Sequence, residues 1–81
     1  MKQHDITIYS TTWCGFCKMA KKYLDDKGIA YKDKNVETEP ESATELMKKL
    51  DGDFRGVPVI DIDGQLILGF DRPKIDAALA A

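Results

Sequence analysis

The stretch VPVIDIDGQLIL, Val57 to Leu68, constrains the fold more than any other part of this 81-residue chain. Two apolar runs flank Asp63-Gly64, a pair suited to a type I′ turn, in which both central residues take positive φ. Strands joined so tightly run antiparallel. Upstream, the apolar spacing changes period several times. In DITIYS, Ile6 and Ile8 alternate with Thr7 and Tyr9, a strand pattern rich in β-branched residues. From Phe16 the spacing turns helical, with Phe16, Ala20, Tyr23 and Leu24 on one face and Gly28 as the stop. IAYKDKNV reads as a second strand. TEPE, Thr38 to Glu41, predicts a capping box, in which Thr38 and Glu41 satisfy each other's free backbone N–H groups. Ala43, Leu46, Met47 and Leu50 give the next helix its apolar stripe, and Gly52 ends it. After the hairpin, Asp71 can cap a last short helix with Ile75, Ala78 and Leu79 inward.

The expected order is β-α-β-α-β-β-α in one α/β domain over residues 1–81, without repeats or linkers. The first two strands should run parallel, because a β-α-β unit crosses over right-handedly. Pro58 conflicts with this reading. It falls inside an apolar strand, where it cannot donate to the ladder. Such a proline marks an edge or a deliberate break, and about 5–6% of X–Pro bonds are cis.

Composition narrows the function classes. The chain is 43% hydrophobic with its aromatic residues spread along it, which fits a globular domain rather than a disordered one. A net charge of −2 leaves no electrostatic footprint for a nucleic acid. No apolar run approaches the ~20 residues of a membrane span. The start MKQHDITIYS lacks the charged, apolar and small-residue order of a signal peptide. A cytoplasmic location is therefore expected, where thiols are kept reduced and a Cys-x-x-Cys is more often catalytic or metal-binding than structural.

Both cysteines, Cys14 and Cys17, lie in TTWCGFCKMA. A closed zinc site needs four N or S ligands. The chain offers two cysteines and His4, which lies across the first strand from the pair. A purely structural disulfide there would close four residues and contribute about 2 kcal/mol, against ~4.7 kcal/mol for a 100-residue loop. A redox pair fits the placement better. Cys14 falls just before a helix and Cys17 one turn inside it, directly after a strand, which is the thioredoxin-like redox context. Unpaired N–H groups and the positive dipole end favour a thiolate on Cys14. Cys14 then attacks a disulfide, and Cys17 attacks the mixed disulfide and releases the reduced partner. Lys18, next to Cys17, is an activating candidate, whereas Lys21 and Lys22 read as a solvated basic face.

With TIYSTTWCGFC, RGVPVI and DGQLILGF taken together, the chain resembles a glutaredoxin-type redoxin over essentially its whole length. The resemblance implies a thioredoxin-like fold, with a four-stranded mixed sheet flanked by three helices. It implies a cis bond before Pro58, beside the thiols, and a Val57 backbone that docks a bound chain like an extra strand. The substrate-binding candidates are Trp13, Phe16, Arg55, Val57, Pro58, Gly69 and Phe70. No metal and no tightly bound cofactor are implied; the Cys14–Cys17 disulfide is itself the redox group.

The electron donor is less uniform across such redoxins. Glutathione users carry a basic residue three before the nucleophile, where this chain has Thr11. They carry a basic or Gln residue near the Val-Pro, which Arg55 matches. Their Gly-Gly-x-Asp-Asp-like segment reads Gly69-Phe70-Asp71-Arg72-Pro73 here. GFDRPKI is instead similar to the ending of the NrdH-redoxin type, which reduces class Ib ribonucleotide reductase and draws electrons from thioredoxin reductase. Asp71 and the Gly15-Phe16 dipeptide depart from that type's usual pattern. The expectation is a monomeric dithiol carrier to a protein disulfide, with ribonucleotide reductase a candidate substrate and a thioredoxin-reductase-type flavoprotein the donor. A glutathione-dependent glutaredoxin is the first alternative. A dimeric metal or iron–sulfur carrier through Cys14 is the second.

Overall fold

A computed structural model describes residues 4–80 of the chain. The elements are β1 (Ile6–Ser10), α1 (Gly15–Asp26), β2 (Lys32–Asn35), α2 (Pro40–Lys49), β3 (Val59–Ile62), β4 (Gln65–Leu68) and α3 (Arg72–Ala80). The sheet order is β2-β1-β3-β4, with β1 and β2 parallel and the other two pairings antiparallel. This is the expected mixed sheet and the expected chain order.

All five residues of β1 are buried, because it is a central strand covered on both faces. Ile6 and Ile8 join Ile60, Ile62 and Ile67 under α1 and α3, where Ala20, Leu24, Ile75 and Ala78 meet them. On the other face Tyr9 and Val59 pack against Leu46 of α2. The period-2 alternation therefore separates two cores rather than core from solvent. β2 is a charged edge strand, KDKN, and it begins later than the IAYKDKNV pattern predicts. Ile29 and Tyr31 precede it and pack against the larger core. Charged side chains on an edge discourage pairing with another chain.

Local turn chemistry explains the boundaries. Asp63 and Gly64 both take positive φ, 52° and 92°, and Ile62 pairs with Gln65, as a two-residue type I′ hairpin demands. α1 closes in a Schellman motif: the Gly28 N–H reaches the Asp25 carbonyl at 2.9 Å and the Ile29 N–H reaches that of Leu24 at 3.0 Å. Asp71 caps α3 through a 3.3 Å bond from the Lys74 N–H to its carboxylate.

Three expectations need correction. The Thr38–Glu41 capping box does not form, and Glu39 is the N-cap residue of α2. Pro40 takes the first helical position, where its missing N–H is harmless, and it keeps the preceding residue extended. The Thr38 N–H is satisfied instead by the Asn35 side chain at 3.2 Å. Met47 is exposed, and Ser42 with Leu46 forms the buried face of α2. Phe16 is likewise exposed, and the inward stripe of α1 runs Cys17, Ala20, Leu24.

The apolar contact under α2 is small and a polar network supplements it. The Tyr9 hydroxyl donates to Glu45, and the Lys34 ammonium donates to both Glu45 oxygens at 3.0 and 2.8 Å. Lys49 donates to Asp61 and lies 5.0 Å from the Tyr9 ring centre. The Lys34 hydrogen bond, helped by that of Tyr9, holds the Glu45 carboxyl below the usual carboxylate range. Burial pulls the Lys49 ammonium down, but Asp61 and Tyr9 outweigh it and hold the group above the usual lysine range.

Candidate active site

The two cysteines sit where the central strand hands over to α1. Cys14 is the N-cap residue, with extended backbone at φ −89° and ψ 109°. Its sulfur accepts the Cys17 N–H at 3.1 Å, one of the donors that a helix start leaves unpaired. The first turn contains no acidic residue, and Lys18 follows with its side chain exposed. Negative charge on Cys14 is therefore favoured by an N–H, by the helix dipole and by the sign of its neighbours.

The pair is joined as a disulfide with its Cα atoms 5.1 Å apart. The two sulfurs face different surroundings. Cys17 has no exposed surface, whereas Cys14 is half-buried. Trp13 is 85% exposed and Phe16 63%, so bulky apolar side chains stand in solvent on either side of Cys14.

The hairpin brings its start to the same place. The Val57–Pro58 bond is cis, and β3 begins only at Val59, so Pro58 lies ahead of the ladder and the apparent conflict disappears. The Val57 carbonyl oxygen lies 3.6 Å from the Cys14 sulfur. From that point a groove of about 550 Å³ runs between the hairpin and α3. Phe16, Val57, Pro58, Gly69 and Phe70 line it together with Leu68, Asp71, Arg72 and Pro73. Gly69, at φ 81°, turns the chain out of β4 and bonds its N–H to the Pro58 carbonyl at 2.8 Å. Phe70 is held edge-on against Tyr23 at 5.7 Å between ring centres.

Several candidate residues lie elsewhere. Arg55 pairs with Asp53 at 3.2 Å and does not line the groove. Trp13 flanks Cys14 but is not part of the groove wall either. Leu68, Arg72 and Pro73 line the groove although sequence reasoning did not single them out as site residues. The available signal was their place: Leu68 ends the strand that pairs back onto β3 beside Pro58, and Arg72 and Pro73 follow it. His4 lies by Asp63 at the hairpin turn, away from the thiols. Among the described residues, no group of three His, Cys, Asp or Glu side chains is placed to hold a metal ion.

A strand, an N-cap cysteine, a cis proline beside it and a four-stranded mixed sheet point to one family, and the sequence profile of Glutaredoxin matches residues 6–67. The chain belongs to the glutaredoxin family. This glutaredoxin is 45% identical over 71 residues to a glutaredoxin-like 8.6 kDa protein of the rubredoxin operon of Clostridium pasteurianum, covering 88% of this chain and 92% of that one. It is 39% identical over 75 residues to the glutaredoxin-like protein NrdH of Lactococcus lactis, covering 93% and 99%. Among solved structures it resembles the NrdH-redoxin of Escherichia coli, described as glutaredoxin-like with a thioredoxin-like activity profile. That likeness has a TM-score of 0.78 at 29% identity and covers 90% of this chain and 92% of the other. The protein is thus a glutaredoxin-like redoxin of the NrdH type and a thiol–disulfide oxidoreductase. Among the described residues, no helix is long and apolar enough to cross a membrane.

Proposed function

We propose that this redoxin is a dithiol electron carrier that reduces protein disulfides through Cys14 and Cys17 and is itself recycled by a thioredoxin-reductase-type flavoprotein. The Cys14 thiolate attacks one sulfur of the partner's disulfide, and the partner's other sulfur leaves as a thiolate. Cys17, as thiolate, then attacks the Cys14 sulfur and expels the partner's second thiolate. The partner has gained two electrons and, once protonated, two thiols; the redoxin is left with the Cys14–Cys17 disulfide. Burial supports this division of labour, because a partner can approach the half-buried Cys14 whereas Cys17 has no exposed surface. The Cys17 N–H favours the charged form of Cys14 both as attacking group and as leaving group. Lys18, Trp13, Phe16 and the groove residues from Val57 to Phe70 would receive the partner. Ribonucleotide reductase remains the candidate substrate that the NrdH-type resemblance implies.

The observation that carries the donor assignment is the state of the groups a glutathione site would use. Arg55 lies outside the groove in an exposed pair with Asp53, Asp71 caps α3, and Phe70 fills space against Tyr23 where a glycine would leave room. The relative with a thioredoxin-like activity profile supports the same assignment. Turnover of one disulfide substrate driven by NADPH and thioredoxin reductase is compared with turnover driven by glutathione, NADPH and glutathione reductase. The flavoprotein system should be faster by at least tenfold; a faster glutathione system would make the protein a glutathione-dependent glutaredoxin instead.

A further inference from the structure

The groove beside Cys14 is apolar along most of its wall, through Phe16, Val57, Pro58, Leu68, Phe70 and Pro73, and its two charged lining residues are Asp71 and Arg72. Asp71, the one carboxylate in its wall, is already matched: it accepts the Lys74 N–H and lies 3.9 Å from the Lys74 ammonium. Two cations are left over. Among the described residues, the exposed side chains of Lys18, next to Cys17 in the chain, and Arg72, in the groove wall, make no hydrogen bond or ion pair. On a chain of net charge −2, the unmatched charge beside this site is positive.

We propose that Arg72 is a specificity-determining residue that selects partner segments carrying an Asp or Glu a few residues from the reactive cysteine, on the side that lies in the groove. The occupant is an extended segment of the disulfide-bearing partner, with apolar side chains over Pro58 and Phe70 and a carboxylate at Arg72. Guanidinium geometry suits a carboxylate in two parallel hydrogen bonds, and an exposed cation without a competing anion is free to make them. Lys18 adds attraction at the thiol end without the same geometric demand. Charges at the rim of such a site act mainly on the rate of productive encounter and are weakened by salt. The inference rests on the reading of the groove as a protein-substrate site.

The test uses the full chain in its dithiol form and two synthetic cyclic peptides, each closed by one disulfide. They are identical except that three Glu residues beside one cysteine are Gln in the second. Oxidation of the redoxin is followed by the fluorescence of Trp13, the chain's one tryptophan, which adjoins Cys14. The Glu peptide should react about five- to tenfold faster at low salt. That ratio should fall at least twofold in Arg72→Gln, leaving the smaller contribution of Lys18, and should shrink for the wild type in 0.5 M NaCl. Equal rates for the two peptides with the wild-type chain, or a ratio reduced less than twofold in Arg72→Gln, would overturn the role of Arg72 while leaving the redox function standing. Reduction of neither peptide, with glutathione disulfide reduced readily, would overturn both this inference and the protein-substrate reading beneath it.

Discussion

In the reduced protein, iodoacetamide should modify Cys14 far faster than Cys17. Cys17 has no exposed surface, so its sulfur can be alkylated only when the first turn of α1 opens. That opening breaks the 3.3 Å bond from the Lys18 N–H to the Cys14 carbonyl and uncovers Cys17 against its neighbours. Local openings range from almost nothing at frayed ends up to the global stability of at least ~5 kcal/mol. A first turn that is exposed at Gly15, Phe16 and Lys18 but anchors Cys17 in the interior falls between, at about 3 kcal/mol, which makes the reactive population of Cys17 about 150-fold smaller than that of an exposed thiol. Thiolate stabilisation on Cys14 widens the gap, since an ordinary thiol is only a few per cent ionised at neutral pH. The assay is brief labelling of the reduced chain at limiting reagent, quenching, and quantification of each cysteine by peptide mass spectrometry. A ratio of 100 or more is expected. Comparable labelling of the two would refute the assignment of Cys14 as attacker and Cys17 as resolver, because that assignment rests on the difference in access.

Cys17→Ser should accumulate a stable mixed disulfide between Cys14 and a protein substrate on non-reducing gels, whereas Cys14→Ser should form none and show no disulfide reductase turnover; the reverse pattern exchanges the two roles. Gly64→Ala should cost about 1 kcal/mol and lower the melting temperature by about 4–8 °C, because an alanine at φ 92° is strained although a Cβ there meets no atom within 4 Å. A melting point within a degree of wild type would contradict the type I′ argument. Glu45 carries a pH-dependent contribution. Its carboxyl is held below the ordinary range in the folded chain, so its stabilisation is present in full above the unfolded value of ~4.3 and is lost as pH falls through the lower folded value. The side chain is 39% exposed, so solvent screening keeps the effect below about 1 kcal/mol. Urea unfolding at pH 7 and pH 3 should show a smaller difference in Glu45→Gln than in wild type, and an equal difference would remove Glu45 from the explanation.

Much of the fold was legible because its signals are local. The Asp63-Gly64 turn, the Gly28 stop and the Asp71 cap each depend on residues within one or two turns of chain, and the structure realises all three. The capping box failed on an equally local point, the preference of Pro40 for the first helical position, which moved the cap to Glu39. Phe16 and Met47 misled the helical stripes because a helix has more apolar residues than buried positions when some serve a surface. Neither pattern shows which apolar residue is left facing solvent.

The redox site divides in the same way. The spacing of Cys14 and Cys17 after a strand and at a helix start determined, by itself, a dithiol whose first member gains from the helix N-terminus. Those effects act over a few ångströms along the chain. What stands opposite that dithiol was decided by tertiary structure alone. Pairing of β3 with β1 and of β4 with β3 carries Val57 to the Cys14 sulfur and sets Leu68 to Pro73 as the far wall of the groove. The same folding pairs Lys49 with Asp61 and leaves Arg72 without a partner among the described residues. Charge pairing depends on distances between residues far apart in sequence, and only the packed sheet and helices set those distances.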